Sequence, residues 1–162
     1  MILENSRVWQ FLSLEERALV RDGEHLIEDR ELHGDISLSD YSYLVFPFAK
    51  LYEGFLKDLF LSLSIIDYRH YTSDHFRIGK VLSPNLVRRL RTHSAYGQLK
   101  ERFGEELPRA LWEVWKKGRN LVFHYYPHNY RSLDEREAKE VVAQIMDVMN
   151  RALDVTGATR VS

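Results

Sequence analysis

Leu44, Phe48, Leu51, Phe55 and Leu59 recur at steps of three and four, the spacing that lines one face of an α-helix. Their run, Tyr41 to Ile66, is the most apolar of the chain, yet Lys50, Glu53, Lys57 and Asp58 interrupt it. Charges near the middle of a bilayer are costly, so the run reads as a helix buried in protein and no membrane is expected as a partner. Such an element must be wrapped by others. No stretch of the chain shows the sustained two-residue alternation of a half-buried strand, so those others are helices too. The expectation is an all-α fold, an up-and-down bundle of four to five helices.

The 162 residues suffice for one domain with a real core, and 1–162 reads as a single domain without a linker. Helical pattern covers about Ser6 to Asp29, with Gly23 as a weak point. The apolar helix begins after Ser37-Leu38-Ser39-Asp40, a capping cluster, and Pro47 should kink it or mark its first turns. Asp67 to Gly79 reads as a connection. Ser83-Pro84 supplies an N-cap and a first-turn proline for a third helix reaching about Phe103. A fourth runs from after Gly104 toward His124, with Pro127 limiting it. A fifth opens with Ser132-Leu133-Asp134-Glu135 as a capping box and continues to about Leu153.

Cysteine is absent, which excludes disulfides and thiolate chemistry and fits a reducing cytoplasm. The N-terminus lacks a basic stretch leading into an apolar core, so no signal peptide is expected. A net charge of −1 argues against a protein that simply coats nucleic acid. Between Lys80 and Arg119, however, Arg88, Arg89, Arg91, Lys100, Arg102, Arg109, Lys116 and Lys117 outnumber the acidic residues, which reads either as solvated helix faces or as a local basic surface. His70, His75, His93 and His128 repeat no metal-ligand spacing and read as scattered surface histidines, so no metal or other cofactor is expected. Trp9, Trp112 and the tyrosines read as core and bundle-edge residues.

At 100° per residue, Leu107, Leu111, Val114, Trp115, Gly118, Leu121, Val122 and Tyr125 form the core stripe of the fourth helix. Arg119, Lys116, Phe123, Asn120 and His124 fall on the opposite side. A phenylalanine among cations away from the core suggests that this side faces a partner subunit or a substrate cleft. Asn120 and His124, four apart, are neighbours on the helix surface. The chemistry open to this group is phosphodiester cleavage in RNA, by attack of the ribose 2′-OH on its own phosphorus. Histidine can serve as acid or base near working pH. Arginine offers forked donors to the charge that builds on the phosphorane. Such a reaction requires no metal.

The segment Arg119-Asn120-Leu121-Val122-Phe123-His124 resembles the signature of the HEPN superfamily: Arg, a polar residue, three more residues, then His, near the end of the penultimate helix. That resemblance implies a small helical bundle, a homodimer that brings two motifs together, and metal-independent endoribonuclease activity in toxin–antitoxin or phage-defence systems. The segment Phe46 to Lys57 is similar to a helix in the catalytic, antitoxin-binding domain of the RNase LS toxin family. There Lys50 takes the place of a basic residue and Glu53 that of a glutamate implicated in activity. The likeness covers about Ser39 to Leu153.

Together these readings give Arg119, His124, Glu53 and Asn120 as catalytic candidates, with Lys50, Lys116 and Lys117 as RNA-binding candidates. An antitoxin protein is the expected partner. His124-Tyr125-Tyr126 also fits the Arg-x4-His-x-Tyr pattern of toxins paired with a nucleotidyltransferase antitoxin, which would make Tyr126 a modification site. A catalytically silent HEPN module that only binds a partner is the alternative.

Overall fold

The computed structural model describes residues 6–34, 36–121, 123 and 132–161, with Asn120 and Leu121 described by their backbone. All regular structure among these residues is helical, as the periodicity requires. None of the helices is long and apolar enough to cross a membrane among the described residues.

Two elements replace the expected first helix: α1 (Arg7–Phe11) and α2 (Leu14–Leu32). The break is chemical. Ser13 Oγ accepts from the backbone N–H of Glu16 at 3.1 Å, while the Glu16 carboxylate accepts from the N–H of Ser13 at 2.8 Å. This capping box starts a new helix where the apolar pattern alone runs on. Gly23 is buried inside α2 without interrupting it, where a Cβ would meet the Phe48 ring. It is a point of close approach.

The central helix, α3 (Ser42–Ser62), carries the predicted apolar stripe, with Leu44, Phe48, Leu51, Phe55 and Leu59 all buried. It packs on α2 and on the last helix. Pro47 lies within it. Asp40, from the expected capping cluster, accepts from Ser42 N–H at 3.0 Å, Ser42 Oγ–H at 2.6 Å and Leu133 N–H at 3.1 Å.

The expected connection holds two single turns, α4 (Tyr68–Tyr71) and α5 (Ile78–Val81). The expected third helix is not continuous. Pro84–Leu86 is a 3₁₀ turn, α6 spans Val87–Leu90, Arg91–His93 is a second 3₁₀ turn, and only then does α7 (Ala95–Phe103) run regularly. Arg91 adopts φ 50°, which breaks the ladder, and fully buried Ser94 caps α7 through the N–H of Gly97 at 3.0 Å. Ser83 caps nothing through its side chain.

After α8 (Glu106–Trp115) the backbone widens into a π-helical turn, Lys116–Leu121. The last helix, α9 (Glu135–Thr156), has its capping box two residues later than expected. Asp134 accepts from the N–H of Glu137 at 2.7 Å, and Glu137 accepts from Asp134 N–H at 2.9 Å. Beyond it, Arg160 folds back to pair with Asp58 at 2.9 Å and Glu16 at 3.1 Å, both carboxylates nearly buried.

Candidate functional site

The π-helical turn is what builds the site. An i→i+5 turn carries more residues than the 3.6 of an α-helix, so the side chains after Trp115 no longer follow the α-helical wheel. Gly118 is buried here, and a Cβ on it would stand 3.0 Å from Ile145 Cδ1 of α9. The missing side chain lets the widened backbone lie against α9. On the other flank, the Tyr52 hydroxyl donates to the Leu111 carbonyl at 2.9 Å inside the core, fixing α8 against α3.

With this register, the Arg119 guanidinium sits 5.7 Å from the centroid of the Trp115 ring and its Nε lies 3.5 Å from Glu53 Oε2. Trp115 is buried and tilts against Tyr52 at 6.4 Å. Arg119 therefore projects toward α3, contrary to the α-helical wheel, which puts it on the far side from the core. Phe123 departs from that wheel as well. It is half-buried, packs against the core, and meets Phe46 edge-to-face at 5.6 Å. Its supposed isolation among cations is no longer a reason to invoke a partner subunit.

Phe46, Ala49, Lys50, Glu53, Arg119 and Phe123 line one open cavity of about 280 Å³. Three residues singled out in the sequence, Lys50, Glu53 and Arg119, thus meet in one place. Glu53 pairs across to Arg119 and not with Lys57 one turn along its own helix. Lys116 and Lys117 are exposed and do not line this cavity. The side chain of Asn120, together with His124 and Tyr126, lies outside the described residues. Sequence reasoning passed over Phe46, although Phe46, Lys50 and Glu53 follow the i, i+4, i+7 rule and so share one helix stripe.

Chemically, the cavity presents two cations and one carboxylate between aromatic walls. The carboxylate holds the guanidinium by one nitrogen and leaves the rest of the fork for a planar or tetrahedral oxyanion. Among the described residues, no three His, Cys, Asp or Glu side chains are placed to hold a metal ion. No protein-family model, curated protein or solved structure matches this chain.

Proposed function

We propose that this chain is an endoribonuclease of the HEPN type, cleaving RNA without a metal by attack of the substrate's own 2′-OH. The observation that carries the reading is the meeting of Arg119, Glu53 and Lys50 in one cavity on the π turn, five residues before His124 in sequence. Arg119 stabilises the phosphorane, Glu53 orients Arg119, and Lys50 attracts the phosphate backbone. His124 supplies the general acid or base and Asn120 orients it. Lys116 and Lys117, exposed on the turn itself, extend the basic surface for RNA. The products are a 2′,3′-cyclic phosphate and a 5′-OH.

On this reading the protein acts in the cytoplasm as a homodimer, a toxin or phage-defence effector held in check by an antitoxin protein. If that antitoxin is a nucleotidyltransferase, Tyr126 is its modification site. These partners rest on the family resemblance, since Phe123 packs against Phe46 within the chain and calls for no second subunit.

The test is incubation of the protein with RNA in EDTA, comparing wild type with His124→Ala, followed by a substrate carrying 2′-deoxyribose at the scissile position. Cleavage with cyclic-phosphate ends, lost in His124→Ala and on the deoxy substrate, is expected. Cleavage of the deoxy substrate, or activity that needs a divalent ion, rules the mechanism out. Full-length folded protein with no cleavage turns the reading to the silent partner-binding module.

A further inference from the structure

His70, His75 and His93 look scattered in the sequence, yet the fold gathers them. With Arg77 and Lys80 they line a second open cavity, of about 420 Å³, whose apolar walls include Ile66, Phe76 and Leu90. The volume falls in the range of small-ligand sites. Leu90 and His93 flank Arg91, whose positive φ turns the chain between α6 and the second 3₁₀ turn. The broken third helix therefore supplies one wall.

Every ionisable side chain lining this cavity is a cation or a histidine. Asp67 and Asp74 neighbour the lining residues in sequence, and neither lines the cavity. Asp67 accepts from the backbone N–H of His70 at 2.8 Å and from its ring Nδ1 at 2.7 Å, and these bonds hold its carboxyl below the usual range. This fixes the ring that meets Phe76 edge-on at 6.0 Å. Asp74 contributes its backbone carbonyl, which takes Arg77 Nη1 at 2.5 Å while the Phe76 carbonyl takes it at 3.1 Å. Arg77 is thus oriented by one nitrogen, with Nε and Nη2 left to bind. A metal cation would be repelled by Arg77 and Lys80, and the histidines are not arranged to hold one.

We propose that this cavity is a nucleotide-binding site: the phosphate is held by Arg77 and Lys80, and the ring packs on Ile66, Phe76 and Leu90 beside the histidines. Oxyanions match the forked and point donors, and the apolar wall gives a flat ring a surface that inorganic phosphate cannot use. The ligand is either a free nucleoside monophosphate or one residue of a single strand. The site does not depend on the ribonuclease reading.

The experiment is calorimetric titration of the full chain with AMP, adenosine, inorganic phosphate and a pentanucleotide whose 2′-O-methyl riboses prevent cleavage. AMP or the strand should bind the wild type, and Arg77→Ala/Lys80→Ala should weaken that ligand by at least about tenfold, the loss expected for two charge-assisted contacts. Tighter binding of AMP than of the strand identifies a free nucleotide, and the reverse order a strand. Lys80→Glu serves as a second variant, because Arg77 also holds two backbone carbonyls. Three results overturn the proposal: no binding of AMP or strand at millimolar concentration, equal binding to wild type and both variants, or adenosine and phosphate each binding as well as AMP. Binding is read without any cleavage, so an inactive enzyme leaves this proposal standing.

Discussion

Arg119 crosses from the π turn to α3, its Nε 3.5 Å from Glu53 Oε2, with both side chains about a third exposed (40% and 31%). At that distance and exposure an ion pair contributes only about 0–1 kcal/mol to stability. Its effect is positional: it aims a guanidinium into a cavity that Lys50 also lines.

Arg119→Lys should accordingly unfold within about 1 kcal/mol of wild type, and on the proposed ribonuclease reading it should lose most activity because the ammonium has no fork. Glu53→Gln should cost less activity than Arg119→Lys, since it only loosens the guanidinium. If His124 is the proposed general acid or base, His124→Ala should lose roughly two to four orders of magnitude, the usual scale for such a group. Denaturant melts beside single-turnover cleavage rates measure both effects. A loss of stability matching the loss of rate in Arg119→Lys would show a structural residue.

Phe46 is 53% exposed and closes the cavity against Phe123. An aromatic contact of this kind adds about 0.5–1.5 kcal/mol beyond area burial, so Phe46→Ala should remain folded. If the wall positions substrate, kcat/KM should fall by about tenfold, equivalent to some 1.4 kcal/mol. An unchanged kcat/KM removes Phe46 from the site.

Gly23→Ala sets two effects against each other. In a helix interior the change is worth about 0.5–1 kcal/mol of added stability. Here the new methyl group meets Phe48, itself only 2% exposed in the core, and overpacking costs about 1–3 kcal/mol. The overpacking should win, and a lowered urea midpoint with an unchanged m-value is expected.

The pairing of Arg160 with Glu16 and Asp58 gives the third stability test. Removing one partner of a buried ionic group leaves charge uncompensated, so Arg160→Ala should cost about 3–5 kcal/mol at neutral pH. Burial, reinforced by the Asp58 charge, raises the Glu16 carboxyl above its ordinary value despite lowering contacts from Ser13 and Arg160. A carboxyl raised in the fold is protonated more readily there than in the unfolded chain. Its contribution is therefore most favourable at low pH and declines as pH rises from the ordinary glutamate range to the folded value. Glu16→Gln should flatten that decline, and the Arg160→Ala deficit should shrink as pH falls through the raised folded value of Glu16. Melts across pH check the sign.

The stripe from Leu44 to Leu59 was legible because one helix buries one face against its neighbours, and spacing alone records that. Lys50, Glu53 and Arg119 were legible as residue types, but not as neighbours. Their meeting depends on the π turn, which differs from an α-helix by hydrogen-bond register and leaves no mark on the apolar spacing. The break at Ser13 was written in the Ser13/Glu16 pair and was overridden by the apolar pattern on either side. The break at Arg91 carries no glycine or proline to announce it. Past that break, His93 likewise joins His70 and His75 in one cavity.

Asp40 takes a hydrogen bond from Leu133, 93 residues away, while Tyr41 N–H donates to the Leu133 carbonyl at 3.0 Å. Arg30 reinforces the same point, reaching Glu135 and the Tyr41 hydroxyl, each at 2.9 Å. The chain between these residues is a noose drawn tight at one knot, and both halves of the candidate site, 46–53 and 119–123, lie within it. Loop-closure entropy grows only slowly with length, so one knot of this kind can tether a long excursion at modest cost. Loosening it by Asp40→Ala would free the start of α3 and the approach to α9 together. The cavity lined by Phe46, Glu53 and Arg119 would then lose its alignment without any of its own residues being touched.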